Sequence, residues 1–213
     1  MKDPLFSSVS KSLGFFMLLV AVVLFLLPPP LQADVEEGVA AYARHDYEEA
    51  LAAFRSAAGQ GNAEAQFHLG ILYANGLGVT LDLPQALLWY RKAAEQGHAW
   101  AQYNAGSMYY LGAGVPQDYA QADAWFRQAA EQGHAWAQYD LGSMHEFGHG
   151  VVPDTVVAYA LYNLAAANEQ MAKKTRDRLA QTLSRDQLAE AQRLSSSWVL
   201  GTPLPTRSKT GTR

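Results

Sequence analysis

The chain has 213 residues, 49% of them hydrophobic, and a net charge of −4. That is apolar matter enough for a core, while the acidic balance argues against nucleic acid, which wants a basic surface. Cysteine is absent, which excludes disulfides, a thiol nucleophile, a cysteine-held metal and lipid attachment at a cysteine behind a leader.

Residues 1–33 have the pattern of an export signal. Lys2 and Lys11 give a positive start, Leu13 to Leu27 is an unbroken apolar or glycine run, and Pro28, Pro29 and Pro30 are expected to end it before Ala33. A bilayer span wants about 20 apolar residues, so this run of 15 is closer to a cleaved signal. An uncleaved anchor of residues 13–27 is the alternative; either places the rest outside the cytoplasmic membrane, in the periplasm or secreted. Lys2 and Lys11 against Asp3 amount to +1, so removing the segment takes −4 to −5.

Residues 34–62 are expected to form a short helical pair around a turn at Arg44-His45-Asp46. Asp46 and Glu49 have the spacing of a capping box. The polar outer face (Glu36, Glu37, Arg44) suits an N-terminal cap on an array.

From Ala63 one pattern is written three times with a period of 36 residues: 63–98, 99–134 and 135–170. Such a period is the signature of stacked repeats. Ala101, Ala105, Met108 and Tyr109 have helical spacing. Glycine pairs at 76/78, 112/114 and 148/150 then break the helix. Asp82, Asp118 and Asp154 begin a second one, with Gln85 and Gln121 completing capping-box spacing in the first two copies. Gly97 and Gly133 end it. The small residues let helices approach closely, and no pair buries its apolar face alone. The third copy departs late, with Leu161 in the Trp89 column and Glu169 in the Gly97 column.

Residues 171–199 are expected to give two C-terminal capping helices, the second opened by Ser184 and Gln187. Residues 200–213 are rich in Gly, Pro, Thr and basic side chains and are expected to be a disordered tail.

These residues resemble the Sel1-like repeat family, a relative of the tetratricopeptide repeats. Its pattern stands here as Ala65, Leu69, Gly70, Tyr73, Gly76, Gly78, Val79, Asp82, Ala86, Trp89, Tyr90, Ala93, Ala94 and Gly97. The resemblance implies an all-α, right-handed α/α superhelix that binds proteins rather than catalysing a reaction. Some exported relatives are linked to β-lactam hydrolysis, but those arrays are cysteine-rich, and this chain has no cysteine.

One motif suggests chemistry. His145-Glu146-Phe147-Gly148-His149 matches H-E-x-x-H, the zinc-hydrolase pattern. It needs both histidines on one helical face, yet Gly148 occupies the helix-breaking column and puts His149 in the loop. No metal or cofactor is therefore expected. His98 and His134 are equivalent, with Asn62 in the same column, which points to a turn role. No nucleophile elbow, phosphate loop or dinucleotide fingerprint is present.

The candidate binding surface is a stripe on the first helices, which line the concave groove in related arrays. In copy two it holds Trp100, Asn104, Ser107 and Leu111 with Tyr103 at the edge. In copy three it holds Trp136, Asp140, Ser143 and Phe147 with Tyr139, and in copy one Glu64, His68, Ile71 and Asn75 with Phe67. Aromatics beside polar groups suit a peptide or helix. The alternative for Trp100 and Trp136 is packing under the second helix of the preceding repeat.

Overall fold

The computed structural model describes residues 30–204; the expected export run and residues 205–213 lie outside the described residues. All regular structure among them is helical. The helices are α1 (Pro30–Ala43), α2 (Tyr47–Gly59), α3 (Ala63–Asn75), α4 (Leu83–Glu95), α5 (Ala99–Leu111), α6 (Tyr119–Glu131), α7 (Ala135–Phe147), α8 (Thr155–Ala165), α9 (Gln170–Ala180) and α10 (Arg185–Ser196). From α1 to α9 each helix packs mainly on its neighbours in sequence, and α10 returns onto α8. The result is a row of helical hairpins, α1/α2, α3/α4, α5/α6 and α7/α8, closed by α9 and α10.

The columns of the sequence explain most ends of the repeat helices. Asn62, His98 and His134 are N-caps: the Asn62 amide oxygen and each imidazole Nδ1 accept from the backbone N–H three residues on. The turn role expected of the histidines is thus a hydrogen bond. Gly112 ends α5 in the left-handed region, φ 69°, and its N–H returns to the Met108 carbonyl. Asp82, Asp118 and Asp154 cap α4, α6 and α8 through their side chains.

Packing follows the same period. Gly70, Gly106 and Gly142 lie beneath the rings of Tyr90, Phe126 and Tyr162, and Gly38 beneath Phe54. A Cβ on Gly106 would come within 2.6 Å of the Phe126 ring, so the close approach is glycine to aromatic ring. The second loop glycine does a different job. Gly78, Gly114 and Gly150 rest on Tyr47, Leu83 and Tyr119, the first residues of α2, α4 and α6, and lock each loop to the preceding hairpin.

Between hairpins runs a ladder of glutamines. Buried Gln66, Gln102 and Gln138 donate to the carbonyls of Ala58, Ala94 and Ala130. Gln96 donates to Gln66 Oε1, and Gln132 to Gln102 Oε1, both at 2.7 Å. The buried amides are thereby satisfied, as burial of a polar group requires.

The ends differ from expectation at three points. Pro30, expected to help close the export run, instead opens α1, where a proline lacks no bond that the helix needs. That helix passes through the expected boundary at residues 33/34. Asp46 makes no cap bond to α2; its carboxylate is taken by Arg44 at 2.9 Å, across a turn that holds His45 at φ 65°. Residues 200–204, expected to begin a disordered tail, fold back onto α6: the Gly201 N–H donates to the Glu131 carbonyl at 2.9 Å, and Leu204 is buried in the core of the repeats.

Candidate functional site

Part of the first-helix stripe lines two cavities, both between the second and third repeats. One has a volume of about 210 Å³ and lies between α5 and α7, with Phe126 of α6 also lining it. Tyr103 and Ser107 come from α5, Asp140 and Ser143 from α7. Four of the nine expected site residues therefore meet in one place. The period explains why: residues 36 apart hold the same position on successive first helices, so Ser107 and Ser143 are equivalent.

Asp140 dominates the electrostatics of this cavity. Burial pushes its carboxyl up to about 6, and the hydrogen bond to the Tyr103 hydroxyl opposes the rise only in part. Burial, reinforced by the Asp140 charge, raises Tyr103 to about 12. Tyr110 also lines the cavity. Its hydroxyl and His149 Nδ1 are hydrogen-bonded at 2.7 Å.

The second cavity, about 340 Å³, is lined by Trp100, Trp136 and His134, with Gln132, Asn168 and Glu169 at its rim. Trp100 is 53% exposed, which removes the core alternative for it; Trp136 is half-buried, edge-on to Tyr139. His134 was not among the expected site residues. Its ring stacks on Tyr103 with centroids 4.6 Å apart and meets Trp100 edge-on at 4.4 Å. Because Nδ1 accepts the cap bond, Nε2 carries the proton, and this buried atom has no hydrogen-bond partner. Burial lowers the imidazole to about 4.

The other three expected residues are held by the chain itself. Asn104 hydrogen-bonds Tyr90 and moderates the burial-driven rise of that phenol to about 12. His68 stacks on Phe54 of the N-terminal hairpin at 4.6 Å and pairs with Glu64 at 3.2 Å. Tyr139 packs on Tyr162, and its hydroxyl lies 3.5 Å from Thr175 Oγ1 in α9.

The H-E-x-x-H residues point to separate tasks. Helix α7 ends at Phe147, with Gly148 in the left-handed region at φ 74°. His145 Nε2 lies 3.5 Å from Arg127, and the Glu146 carboxylate accepts from Tyr162 at 2.9 Å and from Arg178 at 2.7 Å. His149 stacks on Tyr119 in the loop. Helix and metal-ligand geometry do not coincide here.

A row of hairpins joined almost wholly by neighbour contacts, with its open cavities on one set of helices, is an α/α repeat solenoid. More specifically, this chain belongs to the Sel1 repeat family: the family model, described as Sel1 repeat, matches residues 63–98, 101–134 and 137–169. A Sel1 repeat protein from Oxalobacter formigenes has a similar crystal structure, with 29% identity and a TM-score of 0.67, over 77% of this chain and 70% of that one. The structure of c5321, a protective antigen present in uropathogenic Escherichia coli strains displaying an SLR fold, is similar at 29% identity and a TM-score of 0.55. That match covers 78% of this chain and 46% of the antigen chain, so this chain spans under half of that protein. No curated protein matches the sequence. The family's repeats are in general protein-interaction scaffolds.

Proposed function

We propose that this protein is an exported, non-catalytic scaffold that holds a segment of another envelope protein along the first helices of its repeats. One observation carries the reading: consecutive repeats present an indole pair and a tyrosine–aspartate–serine cavity on a stacked, well-capped framework. Large aromatics in partly open pockets are the typical anchors of protein interfaces. The carboxylate and histidines of H-E-x-x-H are spent on structural contacts, which favours binding over hydrolysis. Export rests on the charged start and apolar run of residues 1–33, and the proposed place is the periplasm or the cell exterior.

Affinity capture from an envelope extract tests the reading. Wild type retains a partner, whereas the Trp100→Ala, Trp136→Ala double variant loses it with helical content unchanged. Equal capture by both removes the indole pair from the binding surface. Fractionation that finds the protein in the cytoplasm removes export.

A further inference from the structure

We infer that the cavity between α5 and α7 receives the side chain of an arginine presented by the partner segment. The inference deepens the scaffold reading above and rests on it.

Asp140 differs from the acids that the chain pairs with its own basic side chains. Glu64 pairs with His68 and His98. Asp123 pairs with Arg127 at 2.6 Å and Glu146 with Arg178 at 2.7 Å. Asp140 has the Tyr103 hydroxyl and, among the described residues, no basic partner. A half-buried carboxylate facing a cavity without a counter-charge is matched by a cation from outside.

The walls say which cation. Tyr103 and Tyr110 offer aromatic surface, with the buried Phe126 ring behind them, and a guanidinium stacks on such faces more readily than an ammonium. Ser107 and Ser143 add hydroxyl acceptors beside the carboxylate. A planar donor with five N–H groups satisfies several acceptors in one fork, which three donors on a compact ammonium do less well. A cavity of about 210 Å³ suits one long side chain rather than a helix.

The repeat also fixes where the arginine sits. Position 104 in copy two is Asn and position 68 in copy one is His, each already held by its own neighbours. Only copy three presents a carboxylate in that column. A partner segment lying along the array is thus set in register by one charge.

The test is an NMR titration of the purified protein with N-acetyl-arginine amide, N-acetyl-citrulline amide and N-acetyl-lysine amide. Arginine amide is expected to shift the signals of Tyr103, Ser107, Asp140 and Ser143. The uncharged isostere citrulline is expected to bind at least ~10-fold more weakly, and Asp140→Asn to weaken arginine by a similar factor. The melting temperature of Asp140→Asn is expected not to fall, because the substitution removes a desolvated charge. Citrulline or lysine binding as well as arginine overturns the inference, as does unchanged binding by Asp140→Asn or no binding at all. Partner capture separates the two readings. If capture depends on the tryptophans while the arginine probe fails, the scaffold stands and the arginine pocket falls. If the probe binds at Asp140 and no partner is ever captured, the pocket stands and the scaffold falls.

Discussion

The junction between the first and second repeats and that between the second and third share a backbone plan and differ in the side chain that meets Nε2 of the capping histidine. At the first, His98 caps α5 through Nδ1 and gives its Nε2 proton to Glu64 at 3.0 Å. At the second, His134 caps α7 in the same way, but Trp100 stands in the Glu64 column, and the Nε2 proton has no hydrogen-bond partner. The comparison separates two kinds of position. Caps, loop glycines and glutamines hold the hairpins at fixed spacing and keep their identity. The outer column is free of that duty and changes from a carboxylate to an indole, which lines the larger of the two cavities.

Breaking the hairpin that lies between the two junctions has the largest effect. Gly106→Leu drives a side chain into the Phe126 ring and is expected to destabilise the array by roughly 3 kcal/mol, read as a lowered denaturation midpoint. An unchanged midpoint would refute the seating of the Phe126 ring against Gly106.

Acid separates the junctions next. His134 is held down to about 4, below the ordinary 6.5 of an exposed imidazole. Its stabilising share is therefore complete above the unfolded value and declines as pH falls through the window from 6.5 to 4. Between pH 6.5 and 5 the loss is on the order of 2 kcal/mol. Burial lowers His68 and His145 in the same sense. Asp140, raised to about 6, acts oppositely: its burial penalty is relieved on acidification. The His134 contribution is isolated by Trp100→Glu, which recreates the first junction at the second. In that variant the His134 ring should titrate nearer its ordinary value by NMR, and the acid loss of stability should shrink.

A smaller effect is expected at the cap itself. His98→Ala removes an N-cap and should cost ~1 kcal/mol by chemical denaturation, whereas His98→Asn, which copies Asn62, should restore most of it. The smallest effect on stability belongs to the double variant Trp100→Ala, Trp136→Ala, expected within roughly 1 kcal/mol of wild type, since Trp100 lies largely in solvent. A collapse on denaturation would make Trp136 a packing residue.

The repeats were legible because glycine, aspartate and alanine recur where backbone geometry demands them. The ring seats and the glutamine ladder were less so. A glutamine between an alanine and an aromatic residue reads as surface until the carbonyl of the preceding helix is placed beside it. The capping-box spacing at Asp46 misled because Arg44, two residues away, takes the carboxylate. The nine site residues divided for a reason that periodicity does not contain. At the interior junction Tyr103, Ser107, Asp140 and Ser143 met as the register implied. At the margins, Phe54 of the first hairpin covers His68, and α9, which belongs to no repeat, reaches Tyr139. The equivalence of His134 to His98 points only to a turn, and its place in the larger cavity depends on Trp100 and Tyr103 packing around it.

The loop glycines that rest on the start of the preceding second helix have a consequence for how such a molecule grows. Each hairpin presents on one side the contour that its other side accepts, so length is added only in whole modules. A duplicated 99–134 segment would slide in as an extra tread, carrying its own glycine latch and glutamine rung. A one-residue insertion inside a loop would leave the latch hanging over empty space.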